Sequence, residues 1–311
     1  MRRLLAAVAL CLWTPAAWAT ELVFEDPAGD DFGPGGIVYP TDPVYIPGSF
    51  DLRKLELRDV GDAVEFRVEF EGAVQDPWDS KAWGGNGFSL QMVQIYLDTT
   101  PEKGFAEALP GIHAGFAAAD AWDRVVLITP QGPPRLRVVV DERAGAMKSA
   151  VVVPRKVSVD AHGIVALVDR KALGGAVSAR WGVQAVVASA EPFPEPGNLI
   201  ARRVNETAGL HRFGGGLDGD CDPNLLDVLA LDARGVPAEV EAQKAALTYE
   251  CGAGDSLTRA AKLPMIRREA KPPGDKAPAA SKPAAAKSPP AKPAKAPAAP
   301  LPRPKPAAQP E

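Results

Sequence analysis

Histidine is scarce in this chain, and the patterns of familiar enzyme classes are absent. The three histidines, His113, His162 and His211, lie far apart, and no G-x-S-x-G, H-E-x-x-H or P-loop pattern occurs. Carboxylates are abundant, but in an acidic chain their abundance does not point to glycoside hydrolysis. We therefore predict a protein without catalytic activity.

Long hydrophobic runs are also missing. The one apolar stretch of note, Leu4 to Trp13, is short of the roughly 20 residues that span a bilayer. It follows Arg2 and Arg3 and precedes Ala17-Trp18-Ala19, which is typical of a secretory signal peptide and its cleavage site. Residues 1–19 are thus predicted to be a signal peptide, with an uncleaved anchor as the alternative. The mature protein would be periplasmic, on the cell surface or extracellular.

Cysteine is nearly absent from the mature chain. Of the three cysteines, Cys11 lies in the leader, which leaves Cys221 and Cys251. An even pair in an exported protein favours a disulfide, and two buried free thiols are the alternative. No C-x-x-C pattern is present, which excludes a thioredoxin-like site and c-type haem attachment.

The C-terminal part of the chain has almost nothing to bury. Residues 271–311 contain 13 prolines and carry a net charge of about +6. Such a composition predicts an extended, disordered tail, which we place at residues 266–311. Its partner would be an anionic wall polymer or membrane surface, unless it is only a solvated tether.

Without the leader and the tail, the charge of the remaining chain is about −12 for residues 20–270. An acidic surface disfavours nucleic acid as a partner, because nucleic-acid recognition depends on Lys and Arg neutralising phosphates. It is compatible with calcium. The length allows one large β domain or two small ones, and we assign residues 20–265 to one domain.

Alternation of apolar and polar residues dominates this region and predicts antiparallel β-strands. The clearest case is a hairpin formed by Phe50–Arg58 and Val64–Phe70. Short strands broken by glycine and proline are typical of a sandwich, so the predicted fold class is all-β, with short C-terminal helices at Asn224–Leu231 and Pro237–Tyr249. The further predicted strands are Phe88–Asp98, Arg124–Thr129, Leu136–Asp141, Ser149–Val153, Lys156–Asp160, Gly163–Val168 and Ala179–Ser189.

The segment Asp26 to Leu52 combines carboxylates with many glycines and prolines. Calcium takes six to eight oxygen ligands, and a loop of this composition can supply them. We predict a structural calcium site with the ligands Asp26, Asp30 and Asp31, joined by Asp51. The alternative is a turn whose aspartates bond backbone N–H groups.

A second acidic group has the spacing of the start of an EF-hand. It consists of Asp218, Asp220, Asp222 and Asn224. The pattern then fails, because the sixth position is Pro223 instead of glycine and the twelfth is Leu229 instead of glutamate. Helix capping by Asp222 is the preferred interpretation.

Three segments together carry a resemblance to a known family. They are Asp26 to Leu52, Asn86 to Thr99 (N-G-F-S-L-Q-M-V-Q-I-Y-L-D-T) and Phe213 to Leu229 (F-G-G-G-L-D-G-D-C-D-P-N-L-L-D-V-L). In this order they resemble the C-terminal module of bacterial glucodextranases and amylopullulanases, over roughly Leu22 to Leu247. The resemblance implies a β-sandwich similar to family 9 carbohydrate-binding modules, with structural calcium, association with the cell surface and an accessory, non-catalytic role. The implied partner is a polysaccharide or a cell-envelope glycan.

Sugar binding requires exposed aromatic rings, on which the apolar face of a pyranose can stack. Trp78 and Trp83 lie in a polar segment and are the predicted carbohydrate-binding residues, with Trp122 as a further candidate. The alternative is that these rings plug the end of a sandwich. Trp181 lies on a predicted strand and is expected in the core.

Two other functions stay open at this point. Similar sandwiches in the gamma subunits of ethylbenzene dehydrogenase-like enzymes hold haem b, and Met92 with a Lys or His would be the ligands. Met92 as a core residue is the simpler interpretation. The other function is that of a purely structural envelope protein.

Overall fold

The computed structural model describes residues 21–100, 104–217, 221–230, 236–253 and 256–268. Alternation of apolar and charged residues forms the first hairpin, in which β2 (Leu52–Val60) pairs antiparallel with β3 (Ala63–Phe70). Apart from Val60 at the turn, the apolar side chains of both strands are buried, and the charged ones are half-buried or exposed, as period-two patterning requires. The predicted hairpin is confirmed.

The described residues form fourteen strands and two α-helices within one compact unit. The other strands are β1 (Glu21–Glu25), β4 (Gln91–Asp98), β5 (Ala114–Phe116), β6 (Arg124–Ile128), β7 (Val151–Val152), β8 (Lys156–Val159), β9 (Gly163–Asp169), β10 (Gly182–Ser189), β11 (Asp227–Val228), β12 (Glu250–Cys251), β13 (Leu257–Arg259) and β14 (Ala261–Leu263). The helices are α1 (Pro133–Arg143) and α2 (Val236–Ala246).

Two five-stranded sheets make up the sandwich. The first has the order β1-β2-β3-β9-β8 and is antiparallel throughout. The second has the order β11-β10-β4-β6-β7 and is antiparallel except between β6 and β7. The small pairs are β12 with β13, and β14 with β5. The predicted all-β sandwich is confirmed.

The second sheet is buried on both faces. Every residue of β4 and β10 is buried, whereas residues of β3 alternate between buried and half-buried. One face packs on the first sheet through side chains such as Ile95 and Val187. The other face packs under α1 and several loops through Tyr96 and Val186, among others. A sheet that is buried on both faces needs strands with nearly continuous apolar residues, and β4 and β10 are strands of this kind.

Helix α1 corrects the prediction of a strand at Leu136–Asp141. The run of valines there suits a strand, but two prolines at its start set φ for a first helical turn. Leu136 and Val140, four residues apart, are the buried residues of the helix. Tertiary packing on the second sheet therefore outweighs the β propensity of the valines.

The helix predicted at Asn224–Leu231 is also wrong for its described part, which contains β11 instead. The backbone of this segment bonds to other segments, with Leu226 N donating to Val187 O and Leu229 N donating to Ala185 O. Leu231 lies outside the described residues. The predicted helix at Pro237–Tyr249 agrees with α2, and β1 was not predicted.

The C-terminal end of the described chain is fastened to the fold. A disulfide joins Cys221 to Cys251, with their Cα atoms 6.0 Å apart. Ile266 and Val183 exchange two backbone hydrogen bonds of 2.9 Å. The folded part thus extends past residue 265, the predicted end of the domain. No described helix is long and apolar enough to cross a membrane.

Candidate functional site

A group of carboxylates lies where the first loop meets the edge strand of the second sheet. Asp26 follows β1, Asp30 lies four residues on, and Asp227 belongs to β11. One carboxylate oxygen from each of the three lies within 4.8 Å of the others. This spacing lets all three oxygens reach one cation.

Two further buried carboxylates surround this group. Asp51 precedes β2, and Glu239 lies on α2. The charges of Asp26, Asp51 and Glu239 act on one another, since the first two raise the pKa of Glu239. We call Asp26, Asp30, Asp51, Asp227 and Glu239 the acidic cluster.

Several oxygens of the acidic cluster have no hydrogen-bond partner among the residues that the structure describes. They are both carboxylate oxygens of Asp26, Asp30 and Glu239, and Oδ1 of Asp51. Asp26 and Asp30 are only 3% and 2% exposed. A buried, unpaired carboxylate costs several kcal/mol, so the arrangement is unfavourable without a counterion or protons.

Burial and mutual repulsion favour protonation throughout the cluster. Burial raises the pKa of Asp26 to about 9, with the charges of Asp30 and Asp51 adding to it. Burial and then Glu239 raise the pKa of Asp30 to about 9. Burial also raises the pKa of Asp51 to about 7, that of Glu239 to about 7, and that of Asp227 well above its usual value.

The backbone and one glutamine fix these carboxylates in place. Asp227 accepts hydrogen bonds from Leu52 N at 2.6 Å and Val228 N at 2.7 Å. Gly29 N donates to Asp51 Oδ2 at 2.6 Å. Gln243 of α2 donates through Nε2 to Asp30 O at 2.5 Å and accepts from Val228 N at 3.0 Å. Loop, strand and helix therefore hold the cluster together.

The structure separates the predicted ligands. Asp26 and Asp30 are in the three-carboxylate group, and Asp51 and Asp31 are not. Asp31 accepts a hydrogen bond from the Tyr39 hydroxyl, which Asp51 does not. Burial raises the pKa of Asp31, and the Tyr39 bond opposes that rise.

Sequence reasoning missed Asp227 and Glu239, because nothing in their local sequence marks them as partners of a loop about 200 residues away. In the second acidic group, Asp218 and Asp220 lie outside the described residues. Asp222 accepts a hydrogen bond from Leu217 N, and the helix it was expected to cap is absent from the described part.

The two predicted carbohydrate-binding tryptophans line one cavity of about 260 Å³. Trp78 and Trp83 lie in the β3–β4 connection and are 39% and 42% exposed. Trp83 Nε1 donates to Trp78 O at 3.4 Å, and the Arg135 guanidinium lies 5.8 Å from the centre of the Trp83 ring. Exposed rings beside an apolar hollow are suited to stacking on a flat ligand. We call this cavity the tryptophan pocket.

Polar residues near these tryptophans hold the loop and are not free for a ligand. Asp76 accepts bonds of 2.9 Å from Ser80 N and Oγ, and one from the Ser89 hydroxyl. Asn86 Nδ2 donates to Thr129 O at 2.9 Å and to Gln131 O at 2.8 Å. The side chains of Asp76 and Asn86 are therefore engaged in hydrogen bonds within the protein.

Two other aromatic candidates and Met92 lie in the interior. Trp122 is fully buried, and its Nε1 donates to Glu107 O at 2.9 Å. It is therefore not a ligand-binding ring, because its ring fills the core beyond the second sheet. Trp181 is buried as predicted, and Met92 packs in the same core as Trp122.

The sequence matches the model of a family described as the C-terminal binding module, SLH-like, of glucodextranase, over residues 22–261. The chain belongs to this family. A comparison of the sequence with curated proteins found no match. The family is a binding module and not a catalytic domain, in agreement with the lack of enzyme motifs in this glucodextranase-type module. The match spans both the acidic cluster and the tryptophan pocket.

Proposed function

We propose that this module is exported and binds a polysaccharide or cell-envelope glycan in the tryptophan pocket. The observation that carries the proposal is the exposure of Trp78 and Trp83 on one apolar cavity, in a chain whose family is a binding module. Pyranose rings have an apolar face of C–H groups, which stacks on such rings. The predicted leader supports export, and the proline-rich residues 271–311 would act as a spacer or contact an anionic surface.

We further propose that the acidic cluster binds a structural calcium ion. Five buried carboxylates from loop, strand and helix offer enough oxygens for the six to eight that calcium takes. A divalent cation would compensate the unpaired oxygens of Asp26, Asp30 and Glu239. The ion would have no catalytic role, since the carboxylates are enclosed and lie in a different place from the tryptophan pocket.

Retention in polysaccharide gels tests the binding function. The full-length chain should migrate more slowly in gels that contain a polysaccharide to which the module binds. Trp83→Ala should weaken this binding by about 1 to 3 kcal/mol, by analogy with base stacking on aromatic rings. Leu257→Ala, which removes an exposed apolar side chain on β13, is the matched control and should bind normally. If every glycan that slows the wild type slows Trp83→Ala to the same extent, the tryptophan pocket is not the binding site.

A further inference from the structure

A second cavity adjoins the tryptophan pocket and differs from it in chemistry. It has a volume of about 340 Å³ and shares Glu191 and Phe193 with the tryptophan pocket. Its lining is mostly polar and contains three arginines, Arg202, Arg203 and Arg212, and two carboxylates, Glu191 and Glu195. An apolar hollow thus continues into a hollow rich in arginine, on a folded part whose overall charge is negative.

The arginines of the two cavities differ in the interactions that their guanidinium groups make. Arg202 is committed to the fold, since it donates to the Tyr45 hydroxyl at 2.7 Å and to His211 O at 2.5 Å and lies 3.3 Å from Glu191. Arg203 lies 3.9 Å from Glu195. Neither Arg135 nor Arg212 has a carboxylate partner in the part of the chain that the structure describes, and both are exposed.

Arg135 is positioned for an incoming anion. Its guanidinium lies over the Trp83 ring, which restricts the side chain without neutralising it. It is also in the first turn of the eleven-residue helix α1, where the helix dipole adds positive potential. A guanidinium held in this way loses less conformational entropy when it binds a carboxylate by two hydrogen bonds.

Gln131 supplies an independent sign of a polar ligand. It lines the tryptophan pocket, is 4% exposed, and its side-chain Oε1 has no hydrogen-bond partner among the described residues. A buried amide oxygen without a partner is costly, and a sugar hydroxyl donating to it would remove that cost. The residues that line the pocket therefore include a buried acceptor without a partner, Gln131 Oε1, and an exposed donor for a carboxylate, Arg135.

We propose that the ligand is an acidic glycan that contains uronic acid residues. This inference rests on the proposed function and specifies its ligand. A pyranose would pack on Trp78 and Trp83 and donate a hydroxyl to Gln131, while its carboxylate, or that of the next residue, pairs with Arg135. Arg212 in the adjoining cavity would receive a further carboxylate. The apolar aromatic wall fits a sugar ring, whereas a polyol phosphate chain has no ring face to place there.

Calorimetric titration with matched oligosaccharides tests the proposal. The full-length chain is titrated with tetramers of galacturonate and glucuronate, and with the methyl esters of the same tetramers, which keep the rings and lose the charge. At least one free acid should bind about tenfold more tightly than its ester, as expected for a charge-assisted hydrogen bond. Arg135→Gln should remove that preference, so that acid and ester bind it equally, and Arg212→Gln should reduce the preference.

Arg137→Gln is the matched control. It makes the same charge change two residues along α1, on an exposed side chain that does not line either cavity. The cationic tail is identical in all variants, so it cannot produce a difference between them. Loss of the preference in Arg137→Gln as well would assign it to overall charge and overturn the proposal.

The remaining outcomes separate the two proposals. Equal affinity of the wild type for acid and ester, or binding of neutral maltotetraose alone, would overturn the acidic ligand and leave carbohydrate binding standing. A preference for a glycerol phosphate polymer over every uronate would also overturn it. Binding to no acid, ester or neutral oligosaccharide would overturn the proposed function together with this inference.

Discussion

At the level of single residues, the acidic cluster combines burial with unpaired charge. Asp26 and Asp30 are buried and hold four carboxylate oxygens without hydrogen-bond partners in the described structure. Such residues lower the stability of the metal-free protein and provide ligands for a cation. A substitution can therefore separate the destabilisation by buried charge from the stabilisation by a bound cation.

We predict that Asp30→Asn abolishes stabilisation by calcium and does not destabilise the metal-free protein. The amide keeps the shape of the side chain but carries no charge to repel Asp26 and Glu239. Calcium added to the EDTA-treated wild type should raise Tm, because binding to the folded state alone stabilises it. Calorimetry of both proteins with and without calcium makes the measurement.

Asp42→Asn is the control for this substitution. Asp42 lies in the same loop outside the acidic cluster, and its Oδ1 accepts from Val44 N at 3.0 Å, a bond that asparagine can keep. This variant should retain the full calcium response. A wild type whose Tm ignores calcium would contradict the proposed site.

The tryptophans give a second prediction at this scale. Trp122→Ala should lower the free energy of unfolding by about 3 to 5 kcal/mol, because it empties a fully buried position. Trp83→Ala should lower it by only about 1 kcal/mol, which corresponds to the exposed contact with Arg135. Urea unfolding of both variants measures the difference. A loss of similar size in Trp83→Ala would show that Trp83 is a packing residue.

At the level of elements, helix α2 is the outer support of the acidic cluster. Gln243 bonds Asp30 O and Val228 N, which belong to the first loop and to β11. Gln243→Ala would leave both groups buried without a partner, and we expect a loss of about 1 to 3 kcal/mol in the free energy of unfolding. The measurement is chemical denaturation in the presence of EDTA.

Glu241→Ala is the matched control on the same helix. Glu241 is exposed and forms a surface ion pair with Lys244 at 3.2 Å, so its removal should change stability by about 0.5 kcal/mol or less. Equal effects of the two substitutions would mean that Gln243 does not anchor the helix.

The elements differ in how far local sequence determines them. The first hairpin was predictable, because each of its strands has one face in water and alternates accordingly. Helix α1 was not, since its valines favour a strand and only packing of Leu136 and Val140 on the second sheet selects a helix. Strand β11 was hidden for the same reason, because its pairing with β10 is a long-range contact.

At the level of the whole molecule, the acidic cluster gathers residues from both ends of the folded chain. The first loop predicted a cation site by its composition, and its residues Asp26, Asp30 and Asp51 lie in the acidic cluster, where calcium binding stays a prediction. Asp227 and Glu239 could not be predicted, because their proximity depends on the position of β11 and α2 in the completed fold. The arginine-rich cavity beside the tryptophan pocket was likewise invisible in the sequence.

The raised pKa values predict an unusual dependence of stability on pH in the metal-free protein. Asp26 and Asp30 have pKa values of about 9 in the fold and 3.8 without it, so the folded state binds more protons between these values. Stability should therefore fall as pH rises from about 5 to about 9. Carboxylates with lowered pKa values, such as Asp62 and Asp160, act below this range. Thermal unfolding in EDTA across this range measures the trend.

Calcium should oppose this pH effect. Carboxylates bind calcium after losing their protons, so the rise in Tm caused by calcium should be larger at pH 8 than at pH 5. A metal-free protein that becomes more stable with rising pH would contradict the buried, unpaired state of the cluster.

Under the proposals of export and of calcium binding, the joining of loop, strand and helix by one acidic cluster has a consequence for secretion. A chain that crosses a membrane unfolded must not complete its fold beforehand. Cytosolic calcium is held far below the millimolar levels at which extracellular modules bind it. Under the calcium proposal, the repelling carboxylates keep the newly made chain loosely folded inside the cell, and the ion met outside completes the structure. Export would then be made one-directional by the ion gradient.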